Sequence, residues 1–117
     1  MDITTKIVDL FSGENSLIST NVEEIKLEKD EFGELQIHIS ISNFSKKSKF
    51  FRVHLLFTKI VEFQFYYNSN YSFYNIENYK LLHIEDQVYL SLDPDEHLES
   101  KSLSDLDFIL AKSVLLL

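Results

Sequence analysis

The sequence predicts a mainly β protein: an antiparallel β-sandwich or partly open barrel of about seven to nine strands in meander order, with a short N-terminal helix. Three observations carry this expectation. Phenylalanine and tyrosine are abundant, at 10 and 6 residues, while glycine appears twice and proline once. Aromatic and branched side chains suit a pleated, half-buried surface, where they pack against cross-strand neighbours. Residues 35–42 alternate cleanly, with Leu35, Ile37, Ile39 and Ile41 facing one way and Gln36, His38, Ser40 and Ser42 the other. Short polar breaks punctuate the rest of the chain at intervals too small for long helices.

At the N-terminus, Ile3, Ile7, Leu10 and Phe11 fall at helical spacing, and Gly13 is suited to stop a helix there. VEEIKLEKDEFGELQIHISIS then reads as two strands about a loop at 30–33, with Gly33 in the left-handed position. After the lysine-bearing loop NFSKKSK comes KFFRVHLLFTKIVEFQFYYN, residues 49–68. A single straight strand through it would run roughly 60 Å at ~3.3 Å per residue, too long for a domain of this size. A hairpin with a three-residue loop at 58–60 sets Phe57 beside Val61, Leu55 beside Phe63, Val53 beside Phe65 and Phe51 beside Tyr67. That register keeps one apolar face, and a strand bent by a bulge near Lys59 is the alternative. A further strand is expected over 72–76, and two more over 79–84 and 87–92, turning at Glu85 and Asp86. Asp93-Pro94 ends the last of these, because proline brings no amide to a ladder. The closing stretch DFILAKSVLLL is apolar on both faces, which suits a strand in the middle of a sheet or between layers.

Length and composition narrow the function. The 117 residues make a single domain, 1–117, large enough to form a core without staples. With no cysteine, thiolate zinc sites and a cysteine nucleophile are excluded. Apolar runs are far short of the ~20 residues a bilayer crossing needs, and the acidic start lacks the basic region of a signal peptide, so a cytoplasmic protein is expected, with no membrane partner. A net charge of -8 argues against nucleic acid, whose phosphates need a basic footprint.

No catalytic motif stands out, and no enzymatic activity is expected. Neither HxH nor HExxH spacing joins histidines 38, 54, 83 and 97, of which His38 and His54 fall on outward strand positions as surface or rim residues. Nothing resembles GxSxG, and two isolated glycines cannot cradle a phosphate. DPDEHLE places Asp93, Asp95, Glu96, His97 and Glu99 close together, yet it lacks the glycine of a calcium loop, so no metal or cofactor is expected.

What remains is surface. Residues 85–107 hold eight acidic side chains against one lysine. Tyr66, Tyr67, Tyr71, Tyr74, Tyr79 and Tyr89 crowd the second half of the chain. Carboxylates can steer a basic partner, and tyrosine is a favoured interface anchor. The candidate partner-binding residues are therefore Asp93, Asp95, Glu96, Glu99, Asp105, Asp107, Tyr71 and Tyr74.

YLSLDP together with SLSDLDFILAKSVLL resembles small uncharacterised bacterial proteins found as immunity or antitoxin-like partners in toxin loci. The residues that carry the resemblance are Ser91, Leu92, Asp93, Pro94, Asp105, Asp107, Phe108, Ala111 and Lys112. It covers about a quarter of the chain, contains no catalytic residue, and implies a β-rich cytoplasmic binding protein. The expected function is thus a non-enzymatic module that neutralises a cationic protein toxin. The alternatives are a structural module forming a homodimer by edge-strand pairing, or a small-ligand-binding β protein.

Overall fold

A computed structural model describes residues 1–70 and 74–117. Among the described residues, one helical turn, α1 (Ile7–Leu10), and a 3-10 turn (Gly13–Asn15) precede six strands: β1 (Asn21–Lys29), β2 (Leu35–Ser42), β3 (Arg52–Gln64), β4 (Lys80–Ile84), β5 (Gln87–Asp93) and β6 (Leu106–Leu116). All pair antiparallel in one open sheet of order β1-β2-β3-β6-β5-β4. The expected sandwich or barrel of seven to nine strands is therefore corrected to a single six-stranded sheet. Nor is it one meander. Two three-stranded meanders lie side by side, and the terminal strand β6 joins them at the middle of the sheet.

The hairpin expected at 58–60 is also corrected. β3 runs unbroken through those residues, because β6 pairs with it from Leu55 opposite Leu116 to Gln64 opposite Phe108. Two local devices bend it instead. Lys59 adopts φ 54, and no direct pairing forms between it and Lys112, while the register slips between Ile60 and Glu62. Inward residues consequently run Val53, Leu55, Phe57 and then Ile60 and Phe63, three apart rather than two. Val61, which the hairpin would have buried, is 47 % exposed. β6 changes step at the same place, from Ala111 to Val114. Matched irregularities on both partners keep the ladder intact while turning the strands.

The β1–β2 hairpin forms as expected, with Gly33 at φ 81 and Asp30 Oδ1 accepting the amides of Phe32 and Glu34 at 2.8 and 2.9 Å. Ile84 pairs with Gln87 across the Glu85-Asp86 turn. The expected strand over 72–76 falls partly outside the described residues. Its last part, Tyr74 to Ile76, makes no full strand but hydrogen-bonds along the start of β1: Val22 N donates to Tyr74 O at 2.8 Å, and Ile76 N to Thr20 O at 3.0 Å.

A single sheet exposes two faces, so each apolar patch needs a cover. On the inner face, Ile37, Ile39, Ile41, Leu55, Phe57, Val88, Leu90, Ile109 and Ala111 are covered by Ile3, Ile7, Phe11 and Leu17 of the N-terminal segment. Phe44 and Phe50 lie beside Phe11, their ring centroids 6.4 and 5.4 Å away. The N-terminal segment is held there by the part of β6 that β5 does not reach: Ile3 N donates to Val114 O at 3.0 Å, and Leu116 N to Met1 O at 2.8 Å.

Continuous β3 and the hairpin register predict opposite mutational patterns. Val61→Lys should change unfolding free energy by no more than about 0.5 kcal/mol, while Ile60→Asp should cost about 2 kcal/mol or more, as urea denaturation would measure.

Candidate functional site

At the β4–β5 end of the sheet, the outer face carries Lys80, Tyr89 and Ser91, all buried. Lys80 pairs with Ser91 across the ladder and Leu82 with Tyr89, which places the ammonium and the phenol on one face. Their partner is Asp105, 1 % exposed. One carboxylate oxygen accepts from Lys80 Nζ and the Asp95 amide, each at 2.8 Å. The other accepts from Tyr89 Oη at 2.8 Å and the Ser102 amide at 2.9 Å. Lys80 also donates to Ser100 O at 2.7 Å. Four donors on one carboxylate tie residues 95–105 to the sheet. The acidic loop is therefore a fixed cover over the outer face rather than a solvated tether.

Asp105 thus lies inside the fold and not on the acidic surface. Burial alone would raise its carboxyl pKa, but the bonds from Lys80, the two amides and Tyr89 outweigh it and hold the group down to about 2. Burial and the adjoining Asp105 push the Tyr89 phenol well above its ordinary value. Asp95 is half-buried and likewise organises the loop: it accepts the His97 amide at 3.0 Å and the Ser102 hydroxyl at 3.1 Å, and the first of these does most to lower its pKa.

The remaining carboxylates behave in the opposite way. Asp93 is raised, by burial first and then by Glu77 and Glu96. Asp107 is raised by burial and by Asp93, although it accepts the Tyr66 amide at 2.7 Å. Glu96 accepts from Asn78 Nδ2 at 3.2 Å, and Glu99 is exposed. Among the described residues, the ion pairs are Lys26–Glu28 and Lys80–Asp105, with His38–Glu28 a third only when the imidazole is protonated, so none neutralises this group. Glu77, Asp93, Glu96 and Asp107 form a crowded negative rim.

Tyr74 is exposed and lines a groove of about 420 Å³ with Tyr67, Glu23, Glu24, Val22 and Ile25 along β1. Tyr71 lies outside the described residues. The short segment from Tyr74 to Asn78 carries Tyr74 in the groove, Glu77 beside Asp93, and Asn78 on Glu96, so groove and rim adjoin.

Sequence reasoning missed two features. Glu77 was overlooked because it lies outside the acidic run. His38, read as a surface or rim residue, does face outward but is only 9 % exposed. Its Nε2 lies 2.6 Å from Glu28 Oε1, and its Nδ1 lies 2.7 Å from His54 Nε2. The Glu28 carboxyl is lowered by its bonds to His38 and Lys26. A hairpin pairing of β1 with β2 could have brought Glu28 near His38, whereas His54 depends on the β2–β3 register.

Among the described residues, no group of three or more His, Asp or Glu side chains is placed to hold a metal ion. No described helix is long and apolar enough to cross a membrane. No family model matches the chain, and neither a curated protein nor a solved structure matches it.

Two carboxylates twelve positions apart, Asp93 and Asp105, should respond to pH with opposite signs. Asp105, depressed below the ~3.9 of an unfolded aspartate, contributes roughly 2 kcal/mol that is present above pH ~4 and lost as pH falls towards ~2. Asp105→Asn should remove that acid-sensitive limb and, by stranding the Lys80 charge, cost about 3–5 kcal/mol near neutral pH in urea denaturation. Asp93 is raised, so its charged form opposes folding above its ordinary pKa. Asp93→Asn should increase thermal stability near neutral pH.

Proposed function

We propose that this protein is a non-enzymatic binding module that docks a basic protein on the surface formed by the carboxylate rim and the adjoining tyrosine groove. In this reading it acts as an immunity or antitoxin-like inhibitor of a cationic toxin. One observation carries most of the weight: burial first, and then Glu77 and Glu96, oppose the ionisation of Asp93, on a loop held by Asp105. A cationic partner would relieve that repulsion, and the loop needs little further ordering on binding. Tyr67 and Tyr74 supply rigid apolar area beside the charge.

The Asp105 carboxylate takes no part in this contact, and Asp95 acts by shaping the loop. Asp93, Glu96, Glu99 and Asp107 remain from the acidic run, joined by Glu77, Glu23 and Glu24. A homodimer is the second reading, and one feature favours it. β4 ends the sheet, and beside it Val8, Leu81, Leu82 and Ile84 line an apolar groove of about 660 Å³. Light scattering on dilute protein separates the two, since the first reading requires no self-association.

For the docking surface, immobilised protein should retain a basic protein from lysate of its native source. Glu77→Lys, Asp93→Lys and Glu96→Lys together should lower the association rate at least ~10-fold, and added salt should do the same to the unaltered protein. Retention and rate unchanged by the triple reversal, with the fold preserved by circular dichroism, would reject the reading.

A further inference from the structure

The outer face of β2 and β3 carries a second cluster that the docking surface does not use. Ser40 pairs with His54, and His38 with Leu56, so the two histidines sit diagonally on adjacent strands of the same face. Both strands lie inside the sheet, paired on either side. Their backbone separation is therefore set by ladder hydrogen bonds and not by loops.

Glu28 determines how His38 presents itself. A carboxylate accepts, so at 2.6 Å His38 Nε2 must be the donor. In a neutral ring the Nδ1 lone pair then faces His54 Nε2, at 2.7 Å. A carboxylate holding the far nitrogen of an imidazole is the outer-shell arrangement that orients metal-binding histidines. The near nitrogens are already almost as close as two ligands of a single ion. With bonds of ~2.0–2.1 Å, two nitrogens at right angles on one ion stand ~2.9 Å apart, and two at the tetrahedral angle ~3.4 Å. In distance, opening from 2.7 Å is thus small for a right-angled pair and about three times larger for a tetrahedral one, and in the right-angled case each ring also turns by ~45° so that its lone pair leaves the other nitrogen and points at the ion.

We propose that His38 and His54 form a binding site for one divalent transition ion that favours right-angled ligands, Cu(II) or Ni(II), with Glu28 as the positioning residue for His38. The ion sits to one side of the line between the two nitrogens, and its two bonds replace the hydrogen bond between the rings. A neutral His54 moves its ring proton from Nε2 to Nδ1 and offers Nε2 to the metal. Water completes the coordination sphere. Because His38 is nearly buried and His54 only partly so, the ion enters from the His54 side. Imidazole suits both ions, and preference between metals follows from the angle the two strands impose.

The test uses the intact chain with His83→Asn and His97→Asn, which removes the two exposed histidines. Isothermal titration with NiCl2 should show one saturable site. His54→Asn should abolish it, and Glu28→Gln should weaken it by about 10-fold or more. A site that survives His54→Asn, or no saturable binding before that change, overturns the proposal. Copper electron paramagnetic resonance on the unaltered chain provides a readout that needs no variant at the pair. Coupling to two imidazole nitrogens is expected, and coupling to one or none overturns it.

Discussion

The pairing of β3 with β6 is the contact on which the rest of the molecule depends. It is the seam between two meanders, each of which alone would be a three-stranded sheet with an unprotected apolar face. That seam pairs residues far apart in the sequence, such as Thr58 with Ser113. Its length also controls β3. A strand that must match β6 from Leu55 to Gln64 cannot turn back at Thr58, so the chain resolves the break in its alternation by twisting at Lys59 and bulging near Val61. The part of β6 beyond β5 leaves a vacant edge, and the first residues of the chain occupy it, which brings Ile3, Ile7 and Phe11 over the core.

A second constraint follows from having only one sheet. Its outer face at the β4–β5 end needs a cover, and the acidic loop provides it. Polar groups buried there must be satisfied, and Asp105 gathers Lys80, Tyr89 and two loop amides on its two oxygens. The charge at Asp105 is internal and structural, whereas that at Asp93, Glu77 and Glu96 is external and repulsive. The same residue type, twelve positions apart, thus sits in opposite settings: one carboxylate is stabilised as an anion by the donors that hold the loop, and another is destabilised by burial and then by Glu77 and Glu96.

Much of the fold could be read in advance. The alternation in 35–42, the left-handed Gly33 and the turn at Glu85 follow from local rules of pleat and backbone sterics, and each forms where expected. The two-sided apolar character of the terminal strand suited a place in the middle of a sheet or between layers, and β6 takes the first of these. The hairpin at 58–60 failed for a specific reason. The parity of Phe57, Val61, Phe63 and Phe65 is equally consistent with a reversal or with a phase change along one strand, and only the partner distinguishes them. The helix likewise shortened to one turn, since Ile3 and Phe11 are buried by contact with the sheet and not by a helical stripe.

The candidate sites divide along the same line. Residue types and their clustering in the chain determined that this protein is acidic, tyrosine-rich and without a recognisable reactive motif, because charge and chemistry belong to side chains wherever they are placed. Which carboxylates face outward was decided only by tertiary structure, through the burial of Asp105 against Lys80 and the approach of Glu77 to Asp93. The meeting of Glu28, His38 and His54 was decided in the same way. Those three residues belong to three strands, and strand register, which sets which side chains become neighbours, is a property of pairing between distant segments.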